Sequence, residues 1–348
     1  MKLYEKIKNG IYVIAEMSAN HGGDIDNAYK IIEEAKKAGA DCVKIQTYTA
    51  DTLTIPCDKK WFQLKDGIWA GNNLYDLYKE AYTPWGWQED LKKRCAELDI
   101  DFLSTPFDRT SVDFLEDIGI EFYKIASPEL VDIPLIRYIA SKGKPMIISC
   151  GMGSIKEIED ALNVCYEQKN EQVILLKCCS QYPAKYEDMN LQVIPDMQQR
   201  FGVPIGLSDH SIGSVVPITA MALGAKVLEK HVRLDEEIGS ADEKFSMKMS
   251  EFKQMVHNLR NAKIAMGNVT YELTENEKKG LRSRRSLFAV KDIKKGEIFT
   301  ENNIRSIRPS YGIAPKYYEI LLGRAAKCEY QYGDPLSAEE IEGESFDE

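Results

Sequence analysis

Histidine is scarce in this chain, with four among 348 residues, so any chemistry that needs imidazole must draw on very few positions. Other absences narrow the field further. The eight cysteines form no C-x-x-C pair, which excludes the usual zinc-ribbon and dithiol redox patterns. Neither H-E-x-x-H, a phosphate-loop lysine motif nor a nucleophile elbow is present, and Gly151-Met152-Gly153 lacks the third glycine of a dinucleotide fingerprint. No stretch approaches the ~20 apolar residues of a membrane span, and the first residues show no charged-then-apolar leader. A net charge of -10 argues against general binding to nucleic acid or to anionic membrane. A soluble cytoplasmic protein with reduced, mostly buried thiols is expected.

What the chain does contain is a rhythm. Apolar runs at 11–15, 40–45, 101–104, 121–125, 145–149, 173–178, 203–208 and 227–232 read as eight strands. Helical spacing separates several of them. Ala28, Ile31, Ile32, Ala35 and Ala38 share one face, as do Ile155, Ile158, Leu162 and Cys165 behind a Ser154-x-x-Glu157 capping box. A long irregular stretch from 47 to 87, rich in aromatics, reads as a rim or lid. Strand and helix in alternation predict a parallel (β/α)8 TIM barrel over residues 1–266, then a linker at 267–282 and a compact module at 283–348. Residues 281–310 hold eight Lys/Arg against three Asp/Glu, and the acidic last ten residues are expected to fray.

Polar residues cluster where these strands end, and in such a barrel those ends converge on one face. His210 and His231, each read as lying just past a strand, are therefore expected to meet. With no thiolate evident nearby, and with Glu16, Asp209 and Asp242 as possible further donors, the pair suits Mn²⁺ or Mg²⁺, with Zn²⁺ or Fe²⁺ admitted; simple hydrogen bonding at the barrel mouth is the alternative. Lys44 and Lys124 cannot both be buried unpaired. Either an anion lies between them, drawing also on the hydroxyls of Thr105, Ser127, Ser180 and Ser208, or they pair with Glu16, Glu129 or Glu229.

The runs Ile14-Ala15-Glu16-Met17-Ser18-Ala19-Asn20-His21, Val43-Lys44-Ile45-Gln46-Thr47, Ser104-Thr105-Pro106-Phe107-Asp108, Tyr123-Lys124-Ile125-Ala126-Ser127, Gly206-Leu207-Ser208-Asp209-His210 and Glu229-Lys230-His231 resemble the motifs of the sialic acid synthase family. Those enzymes condense phosphoenolpyruvate with an aminosugar. Arg285-Ser286-Leu287 and Ile307-Arg308-Pro309 are similar to the antifreeze-like (SAF) domain that follows their barrel. Leu74-Tyr75-Asp76-Leu77-Tyr78 and Ala81-Tyr82-Thr83-Pro84-Trp85 look most like the pseudaminic acid branch, which uses 2,4-diacetamido-2,4,6-trideoxy-L-altrose; the neuraminate and legionaminate branches are the near alternatives, and an inactive carbohydrate-binding protein the distant one.

The resemblance implies a divalent cation on His210 and His231, Mn²⁺ foremost, with Mg²⁺ or Co²⁺ as substitutes. It places phosphoenolpyruvate among Lys44, Thr105, Lys124, Ser127, Ser180 and Ser208, and the sugar against Glu16, Gln46, Glu129, Tyr182 and Asp242. Arg308 would serve a neighbouring subunit in a domain-swapped homodimer. Catalytic roles fall on Glu129 as the base for water, on Glu16 and on His231. Two departures stand out: Ser180-Gln181 replaces an Asn-apolar pair, and Ser240-Ala241-Asp242 replaces Gly-Pro-Asp.

Overall fold

The computed structural model describes residues 2–342. Its first compact unit ends at Gly267 and its second begins at Asn268. The first is built on eight strands: β1 (Tyr12–Glu16), β2 (Cys42–Thr47), β3 (Asp101–Pro106), β4 (Tyr123–Ile125), β5 (Met146–Ser149), β6 (Val173–Cys178), β7 (Ile205–Asp209) and β8 (Val227–Arg233). Each lies parallel to the next, and β8 returns to β1 in the register Tyr12↔Val227 through Glu16↔His231. The sheet thus closes into the expected barrel. His231 falls inside β8 rather than beyond it, because it pairs with Glu16 of β1 and the strand then runs on to Arg233 through pairing with Met247–Lys248.

Two apolar layers hold the barrel. Its interior is filled by Tyr12, Ile14, Leu103, Phe122, Ile147 and Leu176, with Leu3 and Ile7 of the helix Lys2–Asn9 in the same cluster. The outer layer lies between strands and helices, and it buries Ala28, Ile31, Ile32, Ala35 and Ala38 of the helix Ile25–Ala38, as their spacing predicts. A fully buried Ile or Leu contributes about 1.5–3 kcal/mol. Asp24 caps that helix through Asp26 N, and Gly39 ends it at φ 90°, a conformation that penalises any Cβ. The Ser154–Glu157 capping box forms at the start of Ile155–Glu167, but Ile155 is half exposed, since the first turn points away from the sheet.

The stretch beyond β2 is more regular than its sequence suggests. It contains the helical segments Ala50–Leu53, Lys60–Phe62 and Leu74–Ala81 before the long helix Trp85–Glu97. In the second unit, Ser286–Ala289 and Ile304–Ile307 pair antiparallel around Leu287, Ile293, Phe299 and Leu336. Residues 267–282, read as a linker, include the capped helix Glu275–Gly280. The acidic end does not simply fray: Glu340, within Ala338–Ile341, is buried and accepts bonds from Lys327 N and Tyr330 Oη. Residues 343–348 lie outside the described residues.

Candidate active site

Successive strand residues point to opposite sides, so one parity of each strand lines the barrel interior. In β8 the inward set is Val227, Glu229 and His231; Lys230, of the other parity, pairs with Asp209 at 2.5 Å. The inward set of β2 is Cys42, Lys44 and Gln46. Apolar residues occupy the lower layers and polar ones the layer at the strands' C-terminal ends.

That layer contains a balanced group of charges. Lys44 Nζ lies 2.6 Å from Glu16 Oε2 and 3.7 Å from Glu229 Oε1, and Lys124 Nζ is also 3.7 Å from Glu229 Oε1. All four side chains are at most 4% exposed. Carboxylates therefore neutralise both ammonium groups, one of the two arrangements that the sequence left open. Lys124 donates to Ser149 Oγ (2.7 Å), Lys44 to Thr105 Oγ1 (3.3 Å), and Ser208 Oγ to Glu229 (3.0 Å). Burial raises the Glu16 carboxyl and lowers Lys124, whereas the two lysines hold Glu229 below its ordinary value against the effect of burial.

The two imidazoles do meet, with ring centroids 5.3 Å apart. His210 Nδ1 donates to the Cys179 carbonyl at 2.9 Å, so in the neutral ring Nε2 is the nitrogen with a lone pair. His231 Nδ1 is buried with no hydrogen-bond partner among the described residues, and burial, then the His210 charge, drives this imidazole toward the neutral form. Tyr182 packs 4.2 Å from the His210 ring and Phe245 4.9 Å from that of His231. A thiol is in reach after all: Cys178 Sγ lies 3.9 Å from His210 Nδ1, because the end of β6 faces inward beside β7. Burial opposes charge on both groups, yet their contact prevails, bringing the thiol down to about 7 and His210 up.

The further carboxylate donors considered for a metal are committed elsewhere. Asp209 points outward to Lys230, Glu16 pairs with Lys44, and Asp242 accepts from Ser18 Oγ at 2.5 Å. Among the described residues, no cluster of three His, Cys, Asp or Glu could hold a metal ion. Among the described residues the imidazole pair is the group best placed to contribute to such a centre, with Asp242 on the same cavity wall.

These groups border a cavity of about 270 Å³ whose wall includes Lys44, Gln46, Lys124, Ser127, Tyr182, Glu229 and Asp242 together with both imidazoles. Glu129 follows the wall residue Pro128 without itself lining the cavity; burial first, and then Asp132, push its carboxyl up to about 7 against the pull of Lys124. Ser180 lies behind the wall near Cys178. A Cβ on Gly151 would stand 2.3 Å from Ser180 Oγ and 2.7 Å from Ser127 Oγ, so glycine lets those hydroxyls close on the backbone. Thr105 and Ser208 stand behind Lys44 and Glu229. Arg308 belongs to the second unit, where it is exposed.

Several contributors take on a definite role only in the structure. Glu229 emerges as the centre of the charge group rather than only an ion-pair partner, and its two-residue spacing from His231 is the signal that marks it as inward. Ser18 links Gln46 (2.9 Å) to Asp242, and Ser149 holds Lys124. Cys178, two residues before Ser180, carries the same parity signal.

The NeuB family matches residues 31–271 and the SAF domain residues 284–342. The chain is 45% identical to a pseudaminic acid synthase of Campylobacter jejuni (strain 81-176), over 94% of this chain and 95% of that one. It is 41% identical to a pseudaminic acid synthase of Helicobacter pylori, over 95% and 97%. Among solved structures it resembles an N-acetylneuraminic acid synthetase from Leptospira borgpetersenii in complex with citrate, with a TM-score of 0.69, 32% identity and coverage of 78% and 90%. A closed barrel with these inward-facing groups, followed by a SAF domain, is the architecture of a chain that belongs to the NeuB family.

Proposed function

We propose that the chain carries out the reaction named by its pseudaminic acid synthase relatives, condensing phosphoenolpyruvate with 2,4-diacetamido-2,4,6-trideoxy-L-altrose to give pseudaminic acid and phosphate. The observation that carries this reading is the convergence of two ammonium groups and two imidazoles on one cavity. In the reaction, C3 of phosphoenolpyruvate bonds to the aldehyde carbon of the open-chain sugar. Water adds at C2, and the C–O bond to phosphate then breaks with release of inorganic phosphate.

Lys44 and Lys124 hold the phosphate and carboxylate of the enol ester, with the Thr105, Ser127, Ser180 and Ser208 hydroxyls around them. Glu129, with a carboxyl near neutrality, takes the proton of the attacking water. Glu16, Gln46, Tyr182 and Asp242 orient the sugar. His231, neutral and with an unpartnered buried nitrogen, and His210, with Nε2 free of the Cys179 bond, fit a divalent cation that takes two protein ligands and leaves its other positions to substrate and water. When bound, such a cation, Mn²⁺ by preference, supplies Lewis acidity at the sugar aldehyde. The same proposal includes a cytoplasmic location, consistent with eight free cysteines, and a homodimer in which Arg308 serves the partner.

The test is a panel of the diacetamido-L-altrose, N-acetylmannosamine and the legionaminate precursor sugar, each with phosphoenolpyruvate and Mn²⁺, followed by phosphate release and mass spectrometry. Phosphate release fastest with the first sugar, abolished by chelation and restored by Mn²⁺, is expected. Release with none of the three would end the proposal.

A further inference from the structure

The cavity wall divides by origin. Its charged members, Lys44, Lys124, Glu229 and Asp242, and the two imidazoles of His210 and His231 come from the strands or the residues just beyond them and from the loop after β8. All three of its leucines, Leu64, Leu74 and Leu77, come with Trp69, Tyr78 and Ala81 from the single insertion between β2 and β3. No side chain that this insertion gives to the wall is charged. The indole N–H of Trp69 is already committed to the Ala241 carbonyl at 2.9 Å, so Trp69 offers the cavity only its ring.

The insertion is ordered by its own bonds. Asn73 caps the helix Leu74–Ala81 through Tyr75 N and donates to the Cys57 carbonyl (2.8 Å), and Gln63 bridges to Asn73. Tyr75 Oη reaches Asp51 (3.0 Å), and Trp85 Nε1 binds the Tyr48 carbonyl (3.0 Å). These bonds hold an uncharged roof of leucine and aromatic rings, polar only at the Tyr48 and Tyr78 hydroxyls, above a charged floor.

We infer that this roof, formed chiefly by Leu64, Trp69, Leu74 and Leu77, determines the sugar that is accepted, by packing on methyl groups and leaving hydroxyls at the same places unpaired. The inference rests on the proposed condensation and adds the surface that sets its specificity. The diacetamido-trideoxy sugar carries three methyl groups, one at C6 and two on its acetamido groups. N-Acetylmannosamine has hydroxyls at C4 and C6 and one acetamido methyl. Neither leucine nor the face of an indole can accept or donate a hydrogen bond, so a hydroxyl turned into this roof loses its water without replacement. A difference of one methyl or hydroxyl in an apolar pocket changes kcat/KM by about 10–200-fold.

The test compares kcat/KM for the diacetamido-L-altrose, for its 6-hydroxy analogue and for N-acetylmannosamine, first in the wild-type chain. It then repeats the comparison in Leu64→Thr, Leu74→Thr and the double variant; both leucines are only partly buried and stand apart from the charged floor. The 6-hydroxy analogue is expected to fall at least about 10-fold below the deoxy sugar in the wild type, and the double variant to shrink that ratio by about 10-fold with KM for phosphoenolpyruvate unchanged. Equal use of the deoxy and 6-hydroxy sugars by the wild type overturns the roof's role without needing any variant. An unchanged ratio in folded variants overturns it as well. Phosphate release with N-acetylmannosamine as the preferred sugar leaves the condensation standing and removes this inference, whereas no release with any sugar removes the condensation itself.

Discussion

Replacing Glu229 by glutamine keeps shape and removes one charge from the balanced group at the cavity floor. At 3.7 Å and an effective dielectric of about 20, the carboxylate attracts each of Lys44 and Lys124 by about 4.5 kcal/mol. Desolvation offsets much of this, and removing one partner from a buried pair typically costs about 3–5 kcal/mol net. Lys124, which burial already lowers, is the group that should surrender its proton. Urea unfolding followed by tryptophan fluorescence reads the barrel alone, because all four tryptophans, at 61, 69, 85 and 87, precede Gly267. The expected result is a lower midpoint at unchanged slope, equivalent to about 3–5 kcal/mol. Ligand at a hundred times its dissociation constant stabilises by about 2.7 kcal/mol. At one fixed concentration of phosphoenolpyruvate the variant should gain more than the wild type, because the anion replaces the lost carboxylate. A loss under about 1 kcal/mol, the usual worth of an exposed pair, or an identical gain with ligand in both proteins, would refute the assigned charge balance.

Two further outcomes follow from the same geometry. If Glu129 is the base, its ionised form is the active one, so wild-type kcat should rise as pH passes about 7; in Glu129→Gln, kcat should drop at least about 100-fold and lose that limb while KM for phosphoenolpyruvate holds, and a variant with the wild-type pH profile would discharge Glu129 from the role. Gly151→Ala puts a methyl 2.3 Å from Ser180 Oγ and 2.7 Å from Ser127 Oγ, so KM for phosphoenolpyruvate should rise about 10-fold, the kinetic equivalent of the 1–3 kcal/mol typical of overpacking; an unchanged KM would detach those hydroxyls from the anion site.

The barrel was legible because its strands are apolar on both faces and end in polar groups, a pattern that propensity and length together resolve. The helices Trp85–Glu97 and Val193–Phe201 left weaker marks. The first buries only Gln88, Leu91 and Cys95, and the second only Ile194 and Met197, with Pro195 inside its first turn. The helix Lys2–Asn9 is short and highly charged, so its inward Leu3 and Ile7 gave too little periodicity to read. In the site, His210, His231, Lys44 and Lys124 announced themselves as polar groups on buried strands. Cys178 did not, since a buried cysteine is ordinary in a core and only strand pairing brings it to His210. The insertion's place at the rim was legible from its aromatics, but its leucines were not: Leu64 and Leu74 lie in a stretch without regular spacing, and only the tertiary fold brings them to the cavity wall.

The helix bearing Leu3 and Ile7 stoppers the far end of the barrel, so whatever reaches the lysines passes through the cavity that the leucines and Trp69 help to line. One doorway serves entry and exit alike. In the proposed condensation an enol phosphate held deepest, at the lysines, arrives before the sugar that covers it, and the finished nine-carbon acid leaves by the threshold over which its precursor came.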